Sequence, residues 1–376
     1  GAAGDEQEIL MALSRAAPGL GRRDGHYITA LTLAIVNGLG RGAARRGESL
    51  RESVEKLDAR IRSMTPEARG MGAFFDDAIR LAGTSDRPID LRLGAISVLQ
   101  YLRFDRARPV LVERVRSDPL QEIRLAAVDA LAAFDNANVA PSLVSVLPAQ
   151  TPAVRRRVIQ SLLRTTSRAQ ALLAEIESGR LAVTELDPTH VQALVNHKNE
   201  TVRDLARKLL AAAIPADRKL VLEKYQPALA LKADPTRGRA VFEKNCVTCH
   251  KIGDLGVNVA PDISDSRTKT PAQLLNDILN PNQAIDNNYV SYTVLTKDGK
   301  SETGIVATET AASITLRQPE GKTVLILRQE IDELKSNGIS LMPEGLEKNI
   351  AIEQMADLIA FIKNWRYLDG AVPLGK

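Results

Sequence analysis

The chain of 376 residues is poor in sulfur and in rings. It has two cysteines, Cys246 and Cys249, four histidines and one tryptophan, and aromatic residues make up only 3%. Two cysteines cannot build the several bridges that staple a small secreted scaffold. Lysine is almost missing from the first half: Lys56 is the only one before Lys198, although arginine is frequent there. No apolar run reaches the ~20 residues of a membrane-crossing helix, ALTLAIVNGL (30–39) being too short. The net charge is only +4, arginines alternate with Asp and Glu, and no basic run is studded with aromatics, which disfavours nucleic-acid binding.

The composition nonetheless suits folded domains. With 44% hydrophobic residues, the chain can fill two or three packed bodies, and few aromatics fit helices rich in Leu and Ala. The change from arginine to lysine places a domain boundary in YQPALALKADP (225–235), where Pro227 and Pro235 interrupt helices.

A repeat fills the first part. DLRLGAISVL (90–99), EIRLAAVDAL (122–131) and AVRRRVIQSL (153–162) align without gaps at intervals of 31–32 residues, and TVRDLARKLL (201–210) is a fourth copy. Each has an apolar residue, then Arg92, Arg124, Arg155 or Arg203, then apolar residues at helical spacing. RARPVLVERVRS and NVAPSLVSVLPA lie between them as second helices. This reads as a HEAT-like α-solenoid over 1–230, clearest over 88–212, in which helix pairs bury one another's apolar faces. The recurrent arginine is expected to pair with a carboxylate of the neighbouring repeat. Residues 1–85, including a helix within 49–61, continue it irregularly. His26, His190 and His197 are expected at the surface or at helix caps.

Both cysteines fall in NCVTCH (245–250). A C-x-x-C pair serves as a redox dithiol, as half a zinc site or, when His follows at once, as a c-type haem anchor. Zinc needs further ligands, and the nearest other histidine, His197, is about 50 residues away. A redox pair has no use for the adjacent His, and a bridge over two residues closes too small a loop to stabilise much. One haem c is therefore expected on Cys246 and Cys249, with His250 on the iron. Two later methionines could supply the sixth ligand. Met355 sits at a core position of the helical pattern IAIEQMADLIAFIKNWR (350–366), whereas Met342 stands in GISLMPEGL, a loop bounded by Gly338, Pro343 and Gly345. Met342 is the expected distal ligand. If it is only a loop anchor, the iron is left open. The Pro261 carbonyl in VNVAPDIS is the expected acceptor for the proximal imidazole.

The flanks extend this reading. Asp234 and Pro235 fit the N-cap and first position of a helix that carries Gly238 and Phe242 on one face. This resembles class I cytochromes c, whose corresponding glycine and aromatic let the C-terminal helix cross closely. Residues 289–328 read instead as about four antiparallel strands, with Asp298-Gly299 as a hairpin turn.

From Asp234 to Arg366, the pieces GRAVFEKNCVTCH, LLNDILNPNQAIDNNYVSY and ISLMPEGLEKNIAIEQMADLIAFI resemble the haem-binding domain family found mainly in Planctomycetes and Verrucomicrobia. The resemblance implies a monohaem cytochrome with His and Met ligands, often fused to helical repeats and to a dehydrogenase-like propeller. Here Ala260 stands where such cytochromes often have Gly, and no propeller is present.

The fold expected is mainly α: the repeat domain, then a class I-like cytochrome c domain over 231–376 with its β insert. Its function would be single-electron transfer with a redox partner protein, a dehydrogenase being the expected donor. Two rivals are a small-ligand or peroxide-reactive haem protein and an interaction scaffold. The start, GAAGDEQEIL, has no apolar signal core. Because haem c is attached after export, a periplasmic or otherwise exported protein is expected, in mature form or as a piece of a longer one.

Overall fold

The computed structural model describes residues 29–45, 70–213, 215–283 and 285–368, with isolated positions between 47 and 59. His26, Met11, Met64 and most of the helix expected within 49–61 lie outside the described residues. The chain divides into two compact units, 1–147 and 148–376. The composition change near 230 lies inside the second.

The first unit is helical: α1 (Ala30–Arg45), α2 (Gly70–Gly83), α3 (Ile89–Val98), α4 (Phe104–Ser117), α5 (Gln121–Ala132) and α6 (Val139–Val144). The first two repeat copies form α3 and α5, and α3 packs against α1, α2 and α5. Their i, i+3, i+4 apolar residues meet in a core where Ile96, Leu99, Leu111, Ile123, Val128 and Leu131 are fully buried. Arg92 is buried with them and pairs with Asp118, which Arg114 also reaches at 3.1 Å. Asp118 in turn accepts the Leu120 N–H at 3.1 Å, just before α5 begins. The repeated arginine thus ties one helix pair to the start of the next.

The second unit opens with α7 (Pro152–Leu162), α8 (Thr166–Glu177), α9 (Pro188–Val195), α10 (Glu200–Ala212) and α11 (Ala216–Tyr225). Arg155 on α7 is buried and pairs with Glu185. Arg203 departs from the pattern. It reaches the His197 carbonyl at 3.4 Å and its neighbour Asp204 at 3.7 Å, and among the described residues no carboxylate of another pair holds it. His197 accepts the Asn199 N–H at the entry to α10, a capping role. His190 is not at the surface: it is buried in the first turn of α9. Asn287 donates to Asp187, the N-cap of α9, at 3.1 Å and so brings the 287–289 turn over that helix end.

Next come α12 (Pro235–Asn245), the small hairpin β1 (Lys251–Ile252) and β2 (Leu255–Gly256), and α13 (Pro271–Leu279). The strands β3 (Val290–Thr296), β4 (Ser301–Glu309), β5 (Ser313–Arg317), β6 (Thr323–Leu327) and β7 (Ile331–Ser340) follow, and α14 (Ile352–Asn364) ends the fold. The insert is an antiparallel sheet in the order β6-β5-β4-β3-β7. It has one strand more than the sequence suggests. β7 reads IDELKSNGIS, which carries little strand signal, but it pairs along β3 alone. As an edge strand it tolerates Asp332, Glu333 and Lys335, all exposed.

The sheet lies against the preceding helices. Tyr292, fully buried in mid-sheet, donates to the Gln150 carbonyl at 2.9 Å, and Thr151 donates to Glu309. Arg156 donates to Asn288 at 3.1 Å. At Gly338 (φ 64°) an added Cβ would stand 3.1 Å from Glu185, so glycine lets β7 pass the buried Arg155–Glu185 pair.

The second core forms where α12 crosses α14. A Cβ on Gly238 would meet the Asp357 carbonyl at 2.0 Å, so the two backbones touch. Phe242 and Phe361 pack one residue-turn further on, with ring centroids 5.5 Å apart. Met355, Leu358, Ile359 and Ile362 fill the same core, each such side chain contributing about 1.5–3 kcal/mol. Tyr225 and Ala228 belong to it too, so this core reaches back into α11 and the turn after it.

Gly238→Ala is expected to destabilise the protein by about 1–3 kcal/mol, read from urea unfolding, because the methyl must separate two helices in backbone contact. A second expectation concerns pH. Burial lowers the His190 pKa below its ordinary 6.5, Asp187 opposes this, and Arg156 adds to it. The unfolded chain therefore takes up this proton first on acidification. The contribution is complete above pH about 6.5 and is lost as pH falls from there through the depressed native value. Unfolding midpoints measured from pH about 7.5 to about 5 should fall in the wild type and fall less steeply in His190→Gln.

Candidate functional site

The motif is placed by the end of α12. The Cys246 N–H donates to Phe242 at 2.8 Å, closing the helix. The N–H groups of Cys249 and His250 both donate to the Cys246 carbonyl, at 3.1 and 2.8 Å, so the five residues form one turn. The chain then reverses through β1 and β2. Gly256 (φ 80°) lies so close under the motif that a Cβ there would stand 2.1 Å from the His250 carbonyl. Val257 next donates to Val247 at 3.2 Å, and Val259 and Ala260 donate to the Cys249 carbonyl at 3.0 and 2.8 Å.

That return path brings Pro261 to the histidine. His250 Nδ1 lies 2.8 Å from the Pro261 carbonyl oxygen. A carbonyl only accepts, so Nδ1 carries the proton and Nε2 keeps its lone pair. Among the described residues nothing hydrogen-bonds Nε2. Burial lowers the His250 pKa, the Pro261 hydrogen bond opposes this, and Lys269 adds to the fall, a balance that favours the neutral imidazole. The alanine at 260 makes its own bond to Cys249 within this arrangement. Both thiols are free, and burial pushes Cys246 up to about 12, with Cys249 adding to the rise.

Met342 follows β7 in the short loop 341–345. It is half-buried and its N–H donates to Ser340 Oγ at 3.1 Å. Ser340 donates its own N–H to Asn282 at 2.8 Å, and the Asn282 amide donates to Glu344 at 2.7 Å. Gly345 (φ 91°) turns the chain into Leu346–Lys348, and Leu346 packs on the core that Cys246 and Val247 also border. Met355, by contrast, is wholly buried in that core on α14.

Such a donor set suits haem. A neutral imidazole with one free nitrogen follows directly on two unpaired thiols one turn apart, and a thioether lies on a separate braced loop. Bare-metal binding has less to work with: among the described residues, no group of three or more His, Cys, Asp or Glu is placed to hold an ion. His250 would hold the iron from one side, and Cys246 and Cys249 would form the thioethers.

Several contributors were not legible in the sequence. The turn between β5 and β6 rests on the motif: Glu320 (φ 65°) donates its N–H to the Thr248 carbonyl at 2.7 Å, and Arg317 donates to the Asn258 carbonyl at 2.6 Å. Nothing in RQPEGK marks this contact. Trp365, the only tryptophan, donates to Ser264 at 3.1 Å and covers Gly253. Helical spacing with Met355, Leu358, Ile359 and Ile362 marks it as a packing residue, but not its bond to Ser264. Arg218 and Tyr225 reach the chain after Met342 from α11, which reads as an ordinary helix before a linker.

Arg317→Ala should loosen the turn from the motif. Hydrogen exchange followed by mass spectrometry is expected to speed up about five-fold in peptides spanning 316–322 and 245–259, equivalent to about 1 kcal/mol for a part-exposed charged hydrogen bond, with α3 and α5 unchanged.

Among the described residues no helix is long and apolar enough to cross a membrane. Residues 78–164 match the family model for HEAT repeats. Residues 233–288 match the family model described as cytochrome C oxidase, cbb3-type, subunit III. No curated protein matches the chain. A HEAT-type repeat region and a cytochrome c domain are thus joined in one chain, and such a domain implies covalently bound haem c used in electron transfer.

Proposed function

We propose that the chain binds one haem c through Cys246 and Cys249, with His250 and Met342 as axial ligands, and relays single electrons from a dehydrogenase to a further acceptor. The observation that carries this reading is the His250–Pro261 hydrogen bond, which leaves Nε2 free beside two unpaired thiols. Bound there, haem supplies a one-electron couple, and His/Met ligation raises its potential. The residues of this chain do the rest. Pro261 holds the imidazole in one tautomer. Gly256 and the β5–β6 turn pack the motif from below and beside. The loop at 341–345 presents the thioether. If His250 and Met342 both held the iron, substrate chemistry there would be disfavoured.

The cytochrome domain in this reading is 231–376, and the helical repeats of 1–230 serve as the docking part for the redox partner. The location is the periplasm or another exported compartment, where haem c is attached.

The test is the spectrum of the full chain made in a host that matures c-type haem. The wild type is expected to show the weak near-infrared band of sulfur-ligated ferric haem and to resist CO when reduced. Met342→Ala should lose the band and bind CO readily. A wild type that is high-spin, and unchanged by the substitution, would refute the Met342 assignment and favour a ligand-binding haem protein.

A further inference from the structure

The loop carrying Met342 is fastened at both ends. Its entrance is held by Asn282, which accepts from the Ser340 N–H and donates to Glu344. Its exit is held by α11. The Arg218 guanidinium donates to both oxygens of Glu347, at 2.9 and 3.2 Å, and its Nη1 also lies 3.5 Å from the Leu279 carbonyl. The Tyr225 hydroxyl, two turns further along the same face of α11, donates between the carbonyls of Glu347 at 2.9 Å and Ile350 at 2.8 Å. Arg218 is only 7% exposed. Burial works against the Glu347 charge, but the Arg218 hydrogen bond, the residue's own backbone N–H and the charges of Arg218 and Lys348 together hold the carboxyl below its ordinary range.

A two-pronged guanidinium–carboxylate pair fixes orientation as well as distance, which a point charge does not. Such a device is out of proportion for closing a five-residue surface loop. It is in proportion for a loop that must present a methionine. A thioether is neutral and weak as a ligand, and its flexible side chain can leave the metal whenever its backbone drifts. We propose that Arg218 is a positioning residue for Met342: paired with Glu347, and with Tyr225 beside it, it locks residues 341–347 so that the Met342 sulfur remains on the iron. The proposal rests on the ligand reading given above. It places a determinant of the haem site on α11, outside the matched residues 233–288 and only a few residues beyond the end of α10.

The experiment uses the haem-loaded full chain and compares wild type, R218A, R218K, E347Q and M342A. Expected for R218A and E347Q is a weakened or absent near-infrared sulfur band and CO binding about ten-fold faster or more, while haem content and helical circular dichroism stay at wild-type level. R218K, which keeps the charge but not the fork, should fall between. A purely structural role would lower urea stability and leave the band and the CO rate alone, and that outcome overturns the proposal. Should R218A fail to accumulate with haem, E347Q and R218K decide, since they preserve side-chain volume and a hydrogen bond. A wild type without the band, indistinguishable from M342A, would remove the ligand reading and this proposal together. A wild type with the band, lost in M342A but kept in both R218A and E347Q, would remove this proposal alone.

Discussion

The backbone contact between α12 and α14 at Gly238 is the constraint on which the second unit turns. Two helices can approach so closely only where one has no side chain. The approach is then secured by charge. Asp357, buried on α14, accepts from Arg237 at 2.7 and 2.9 Å and from the Asp234 N–H at 2.6 Å, so the N-terminus of α12 is tied to the middle of its partner. Because α12 ends at the motif, this crossing also decides where Cys246 and His250 stand. At its far end α14 continues into Trp365, which holds Ser264 and thereby the segment running back to Pro261. One crossing therefore places both the proximal imidazole and the carbonyl that orients it.

The sheet has a different dependence. Its contacts run to polar partners on two sides, Gln150, Thr151, Arg156 and Asp187 on one and the Thr248 and Asn258 carbonyls on the other. Its own apolar cluster, around Tyr292, Ile314, Leu316 and Ile326, is separate from the core of the helix crossing. Directional polar contacts specify where a body sits more than how tightly it holds, since each adds only about 0.5–1.5 kcal/mol net. Their geometry makes the insert a strut between the helices of 152–195 and the cysteine-bearing turn.

Legibility followed locality. The helix pairs, the N-cap at Asp234, the Asp298-Gly299 turn and the C-x-x-C-H run are written in neighbouring residues, and each could be read from spacing alone. β7 could not, because an edge strand takes its structure from β3, more than thirty residues away, rather than from its own composition. Arg203 repeats the position of Arg92 and Arg155 but, among the described residues, meets the His197 carbonyl and its neighbour Asp204 instead, since periodicity fixes where a side chain begins and not what it meets. The burial of His190 was not legible beside its expected place at the surface or at a helix cap, since one partner of its helix end, Asn287, lies about 100 residues later. The clamp from Arg218 and Tyr225 was hidden for the same reason, its partners Glu347 and Ile350 lying more than a hundred residues later. The Gly238–Phe242 spacing was readable, although the depth of the crossing was not.

The pairing of α12 with α14 also bears on the order in which the protein can mature. Their contacts span about 120 residues of chain, the whole sheet lying between, so this is a high-contact-order core that cannot close until α14 has been made. Until then Cys246 and Cys249 remain on an open segment. Once closed, burial makes the Cys246 thiol a very poor source of thiolate. The topology thus makes the surroundings of the Cys246 thiol depend on the last helix of the fold to be made.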